Sequence, residues 1–268
     1  MFRKSNRCEA LFSRLRKEKR CGLIAYVTCG DPDPDTTTRI VLELEKAGAD
    51  AIELGVPFSD PIADGPVIQA AAQRALAAGT TIVDVLRIAR TVREQSEIPL
   101  IAFSYLNPLL RFGVERFARE ASTAGFDAAL LTDLLPEAAG EIQRALRRHH
   151  IGLVFLLAPT SSDKRVAMID RASDGFVYYV STTGVTGTRT NLDPALLDRL
   201  DDIRARMRKP LAVGFGISRR EHYEALRNRC AAVVVGSAIV RAIAAGDAAG
   251  APSRAGEVVR SIVYHSPS

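Results

Sequence analysis

The stretch AGADAIELGVPFSDPIADGP, residues 47–66, passes through three backbone regimes. Gly48 ends a helical run as a left-handed C-terminal cap would, and AIEL (51–54) follows as a short β-rich run. Three carboxylates, three prolines and two glycines then crowd into residues 53–66. Proline removes donors and glycine frees the backbone, so this segment is a shaped loop and not a helix or central strand. A new helix starts near Pro66. The chain therefore reads helix, strand, loop, helix, and AGFDA (124–128) repeats the first part of that pattern.

The same alternation extends in both directions. Further β-rich runs are LIAYVT (23–28), LIAFS (100–104), AALLT (128–132), GLVFLL (152–157), FVYYV (176–180), LAVGF (211–215) and AAVVV (231–235). Helical periodicity fills the intervals, as in 37–48, 136–150 and 193–207. Eight strands each followed by a helix predict a closed (β/α)8 TIM barrel, with an open doubly wound sheet as the competing arrangement. No interior composition break marks a boundary, so residues 1–268 are expected to form one barrel domain. Short extra helices are expected at 5–18 and 83–95. Cys8, Leu11, Phe12 and Leu15 give the first of these an apolar stripe.

Bulk properties narrow the function. A chain of 268 residues with 47% apolar content can bury one large core. The net charge of +5 comes from basic residues spread over many segments without interleaved aromatics, which argues against nucleic acid. The run RLRKEKR (14–20) reads as a solvated helix end. Cys8, Cys21, Cys29 and Cys230 show neither metal-ligand spacing nor a disulfide framework, which fits a reducing cytosol. His149 and His150 are adjacent and point to different helix faces, so no shared metal is expected. No apolar run reaches membrane-spanning length, so no membrane partner is expected.

In a barrel the functional groups belong at the C-terminal ends of strands and in the loops that follow. Glu53 interrupts an apolar strand there, and an unpaired buried charge is costly enough to need a purpose. Asp64 lies where a folded loop can bring it over the same cavity, and two acids in different environments can divide acid and base work. Asp64 could equally cap the helix at Pro66, and Asp60 could anchor a turn. STTGVTGTR (181–189) reads as a lid over substrate or as a surface loop. GFGIS (214–218) and VVGSA (234–238) follow the last two strands, where barrels often bind phosphate through main-chain amides. Tyr178 shares a strand face with Phe176 and Val180, and periodicity leaves open whether that face points inward.

The motifs GDP (30–32), GADAIELGVPFSDPIADGPVIQAA (48–71), YLNP (105–108), VSTTGVTG (180–187), GFGIS and VVGSAIV (234–240) together resemble the tryptophan synthase α subunit family. The match runs in order from about residue 8 to about residue 264. The resemblance implies retro-aldol cleavage of indole-3-glycerol phosphate to indole and glyceraldehyde 3-phosphate. It assigns acid–base work to Glu53, the indole N–H to Asp64 and positioning of Glu53 to Tyr178. Gly187, Gly216, Gly236 and Ser237 would hold the phosphate, and Tyr26, Phe103, Leu130 and Phe215 would line the indole pocket. Thr186 would reach Asp64 on loop closure. The family implies no cofactor on this chain, and a β-subunit partner that carries pyridoxal phosphate, in an α2β2 heterotetramer of the cytoplasm. Pro57, Phe58, Asp60, Asn107, Pro108 and Asp133 would face that partner.

The sequence departs from the family at two places. Leu135 stands where the family usually has proline, and Phe103-Ser104 stands where Leu-Met is commoner. Other readings are a free-standing lyase that releases indole, a silent regulatory subunit, and another phosphosugar enzyme on the same barrel. The silent subunit conflicts with the presence of both acids, and the last leaves the acidic loop unexplained.

Overall fold

The β-rich runs become strands with both faces buried, as a parallel sheet covered by helices requires. The computed structural model describes residues 6–180, 192, 194–214 and 216–264. Its strands are β1 (Gly22–Thr28), β2 (Ala51–Gly55), β3 (Leu100–Ser104), β4 (Ala128–Leu131) and β5 (Gly152–Val154). They continue as β6 (Leu156–Leu157), β7 (Val177–Val180), β8 (Leu211–Gly214) and β9 (Ala232–Val235). All pairings are parallel, in the order β5-β4-β3-β2-β1-β9-β8-β7-β6. Only Phe155 separates β5 from β6, so the chain itself closes the ring into a TIM barrel and excludes the open sheet.

The run GLVFLL is thus two strands, not the single strand expected over 152–157. Its first half pairs with β4 and its second half with β7. Between them the Phe155 N–H donates to the Ser173 hydroxyl at 3.1 Å, while its carbonyl accepts from the Tyr178 N–H. The expected helix at 136–150 is likewise divided. A 3-10 turn at Pro136–Ala138 precedes the helix Gly140–Arg148, with the Ala139 N–H turned back to the Pro136 carbonyl. Elsewhere the helix ends move by one to three residues and have local causes. The helix Pro34–Lys46 starts earlier than 37 because Asp33 accepts from the Thr36 N–H and Pro34 sits in the first turn. Ile82–Arg93 carries a capping box from Thr81 and Asp84. The remaining two are Arg7–Glu18 and Pro194–Arg206. Gly125 caps its helix in the left-handed region, and Gly48 has φ of 107° just past Ala47.

Alternation along each strand divides the core into two shells. Outward residues such as Leu23, Val27, Ile52, Leu54, Val177 and Tyr179 pack under the surrounding helices. Inward residues such as Ile24, Ile101, Leu130, Phe176 and Val234 fill the ring. Cys8, Leu11, Phe12 and Leu15 of the helix Arg7–Glu18 close its N-terminal end. Phe12 lies 5.0 Å from the Phe176 ring. Each such large apolar side chain contributes about 2 kcal/mol by leaving water. With one end plugged, the interior opens only at the C-terminal ends of the strands.

Candidate active site

Glu53 is the third residue of β2, in register with Tyr26 of β1 and Ile101 of β3. Its neighbours in sequence, Ile52 and Leu54, face outward, so the two-residue repeat turns Glu53 into the ring. It is fully buried, and among the described residues neither carboxylate oxygen has a hydrogen-bond partner. Burial alone pushes its pKa up to about 8. At neutral pH Glu53 is therefore mostly a neutral acid that can give up a proton.

Asp64 reaches the same mouth from the loop between β2 and the helix Pro66–Ala77. Its main-chain N–H bonds to the Pro61 carbonyl at 3.0 Å, and Gln69 grips the Pro61 and Asp64 carbonyls. Gly65 occupies the N-cap position of the next helix without a side-chain cap, so Asp64 is not the capping residue. Burial raises the Asp64 pKa to about 6, and a hydrogen bond from the Tyr105 hydroxyl opposes that rise. Asp64 is therefore largely ionised where Glu53 is largely neutral. Two acids with different charge at one pH can act as donor and as anionic partner.

Two tyrosines connect these acids. Burial, followed by the charges of Glu53, Tyr26 and Asp64, holds the Tyr178 hydroxyl well above its usual pKa. Burial and then Asp64 do the same to Tyr26, whose hydroxyl lies 3.3 Å from Thr28 Oγ1. Both acids thus act on the same two phenols. Tyr178 packs with the ring interior, so its strand face points inward. Glycines make room for these rings. A Cβ on Gly55 would lie 2.3 Å from the Tyr26 hydroxyl, and one on Gly214 would lie 2.4 Å from that of Tyr178.

The apolar side of the mouth is formed by Tyr26 and Phe103, edge to face at 5.1 Å. Leu130 lies below them, fully buried in the inner shell. Gly236 caps the helix Ser237–Ala244, and a Cβ there would touch Tyr26 and Ile68 at 3.5 and 3.7 Å. The free N–H groups of that helix start, including the one on Ser237, therefore border the aromatic pocket and suit an anion. Gly216 follows β8 with φ of 63°, and among the described residues nothing lies within 4 Å of where a Cβ would sit. Thr186, Gly187 and Phe215 lie outside the described residues.

Tyr105 is a member of this constellation that sequence reasoning missed. It follows β3 directly, accepts from the Ala63 N–H at 2.9 Å and donates to Asp64, so it shapes the acidic loop. A phenol at the C-terminal end of a barrel strand, inside the motif YLNP, was the available signal. The residues expected at a partner surface follow β2, β3 and β4, with Asn107 and Pro108 in the first turn of the helix Leu106–Phe112 and Phe58 tilted against Tyr105 at 5.2 Å. Asp60, Asn107 and Asp133 are exposed, Phe58 and Pro108 half-buried, and Pro57 buried. Asp60 accepts from the Ser59 hydroxyl at 2.5 Å, and Asp133 accepts from the Leu106 N–H at 2.7 Å. Among the described residues no cluster of potential metal ligands occurs, and no helix is long and apolar enough to cross a membrane.

The chain and its fold have known counterparts. A family described as tryptophan synthase alpha chain matches residues 12–261. The tryptophan synthase alpha chain of Solibacter usitatus is 54% identical over 233 residues, covering 87% of each chain. The crystal structure of tryptophan synthase subunit alpha from Legionella pneumophila superposes with a TM-score of 0.89 at 35% identity, covering 97% of each chain. A chain from the tryptophan synthase α2β2 complex of Pyrococcus furiosus superposes with a TM-score of 0.86 at 40% identity, over 90% of this chain and 97% of that one. Sequence and backbone therefore point the same way, and this chain belongs to the tryptophan synthase alpha chain family.

Proposed function

We propose that the chain cleaves indole-3-glycerol phosphate to indole and glyceraldehyde 3-phosphate, with Glu53 as the acid–base group and Asp64 as the anchor of the indole ring. The environment of Glu53 supports this most: a fully buried carboxyl, unpartnered among the described residues, at the open end of an otherwise apolar ring. Indole is a poor leaving group until C3 is protonated, because only then does the ring become a cation able to accept the bonding electrons. Neutral Glu53 gives its proton to C3. Asp64 accepts the indole N–H hydrogen bond and stabilises the positive charge that develops on the ring. Glu53, now a carboxylate in a dry site, takes the proton from the hydroxyl beside the scissile bond. The C–C bond breaks, its electrons return to the ring, and the aldehyde forms. Tyr178 positions Glu53, while Tyr26, Phe103 and Leu130 hold the ring. Gly216, Gly236 and Ser237, with Gly187 of the 181–189 loop, bind the phosphate, and Thr186 reaches Asp64 when that loop closes over the substrate.

The indole released passes to a β subunit that carries the pyridoxal phosphate, in a cytoplasmic α2β2 assembly. The segments after β2, β3 and β4 form the docking face, through Pro57, Phe58, Asp60, Asn107, Pro108 and Asp133. Ile62, Leu110 and Leu135 in those segments are 88%, 53% and 57% exposed, and such apolar side chains on adjacent segments gain from being covered. The test is indole release from indole-3-glycerol phosphate, measured with and without a β subunit. Slow release alone and marked stimulation by the partner are expected. Fast turnover without the partner would make the chain a free-standing lyase, and no indole at all would remove the activity.

A further inference from the structure

At the opposite end of the barrel, three aspartates head alternate strands. Asp50, Asp127 and Asp174 donate their main-chain N–H to the carbonyls of Leu23, Leu100 and Leu153 at 2.7, 2.9 and 2.8 Å. Each carboxylate accepts the N–H of that same leucine in return, at 3.0, 3.0 and 3.1 Å. Each also takes up arginine charge: Arg14 and Arg20 at Asp50, Arg7 and Arg93 at Asp127, and Arg147 at Asp174. A fourth position repeats the backbone geometry, with the Ala231 N–H on the Leu211 carbonyl at 2.8 Å. There the side chain is alanine, and no carboxylate is supplied.

A cleft of about 460 Å³ opens beside Ala231, within the range of small-molecule sites. Arg16, Lys19, Arg20, Arg204, Arg208, Lys209 and Arg227 line it, Arg20 already held by Asp50 and Glu18, and none of the lining side chains is a carboxylate. Arg227 pairs with Glu224 at 2.9 Å, Lys209 donates to the Asp170 carbonyl and Arg204 to the Asn228 carbonyl. Arg16, Lys19 and Arg208 form no ion pair among the described residues. Phe12, Met207 and Leu211 supply an apolar wall. Like charges facing one concave space repel and concentrate positive potential, and a multiply charged anion relieves both effects.

We propose that this cleft binds a small polyphosphate anion, with its phosphates on Arg16, Lys19 and Arg208 and any attached ring against Phe12 and Met207. The site is separate from the catalytic mouth, since the plugged inner core lies between them. The test is calorimetric titration of the full-length chain at low salt with inorganic tripolyphosphate and, separately, with ATP. Two variants accompany it: the double substitution Arg16→Glu/Arg208→Glu, and Ala231→Asp, which restores the carboxylate carried by the other three positions. Saturable one-to-one binding is expected, weakened at least about tenfold in each variant, with indole release unchanged. Tighter binding of ATP than of tripolyphosphate would identify a nucleotide as the ligand, and equal binding a bare polyphosphate. No saturable binding to the wild type would overturn the proposal. Binding undiminished in both variants would also overturn it, by placing the anion elsewhere, for instance at the catalytic phosphate site.

Discussion

Replacing Glu53 by glutamine is expected to make the protein more stable while removing its activity. The buried carboxyl titrates near 8 in the folded chain against an ordinary 4.5, because burial disfavours its anion. A raised carboxyl pKa means that the folded state holds its proton longer than the unfolded state. Stability therefore falls as pH rises through 4.5 and levels off above about 8. Each tenfold change in the ionisation constant is worth about 1.4 kcal/mol, so the full penalty is about 5 kcal/mol, of which about 3 kcal/mol is present at pH 7. Glutamine resembles the neutral acid in shape and does not titrate. Any cost of burying its amide is independent of pH, so the difference between the two proteins isolates the ionisation. Urea unfolding at pH 5, 7 and 9 should give an advantage of the variant that grows by about 4 kcal/mol across the series. A difference that stays flat with pH would refute the dry, unpartnered environment from which the mechanism starts. Indole release should fall by at least roughly 10²-fold in the same variant, the scale of a positioned acid–base group.

The pH profile of kcat/KM for indole release should be bell-shaped, falling below about pH 6 as Asp64 protonates and above about pH 8 as Glu53 ionises. Tyr105→Phe removes a donor that favours the Asp64 anion, so the acidic limb should move to higher pH; an unmoved limb would deny that contact a role. Gly214→Ala would put a Cβ 2.4 Å from the Tyr178 hydroxyl and force the ring away, lowering kcat roughly tenfold and stability by about 1–3 kcal/mol in urea unfolding; unchanged kcat would deny Tyr178 a positioning role. Asp127→Asn leaves the guanidinium of Arg93, 13% exposed, without its carboxylate, and urea unfolding should register a loss of about 3 kcal/mol.

The barrel was legible because apolar runs alternate with helical periodicity, and both are properties of neighbouring residues. The break at Phe155 was not, since it depends on a hydroxyl eighteen positions away at Ser173. Glu53 stands out because a carboxylate in an apolar run is costly, whereas periodicity leaves the direction of Tyr178 open and gives Tyr105 no role beyond its place in YLNP. Only the folded ring brings their hydroxyls to the acids. The echo between AGADA and AGFDA shows its glycines as helix caps. Its aspartates proved equally structural, because each closes a reciprocal pair of bonds with a leucine on the preceding strand. That partner is remote in sequence and gives no local signal. Gly55 and Gly214 were hidden for the same reason, as what requires them is a tyrosine on the neighbouring strand.

A crystal structure of the Glu53→Gln protein with intact indole-3-glycerol phosphate bound is the sharpest test of the proposed chemistry. The side chain at 53 should sit over indole C3, Asp64 should accept the ring N–H within about 3 Å, and the phosphate should rest on the amides of Gly216, Gly236 and Ser237. An indole N–H directed away from Asp64, or a phosphate bound anywhere else, would contradict the account.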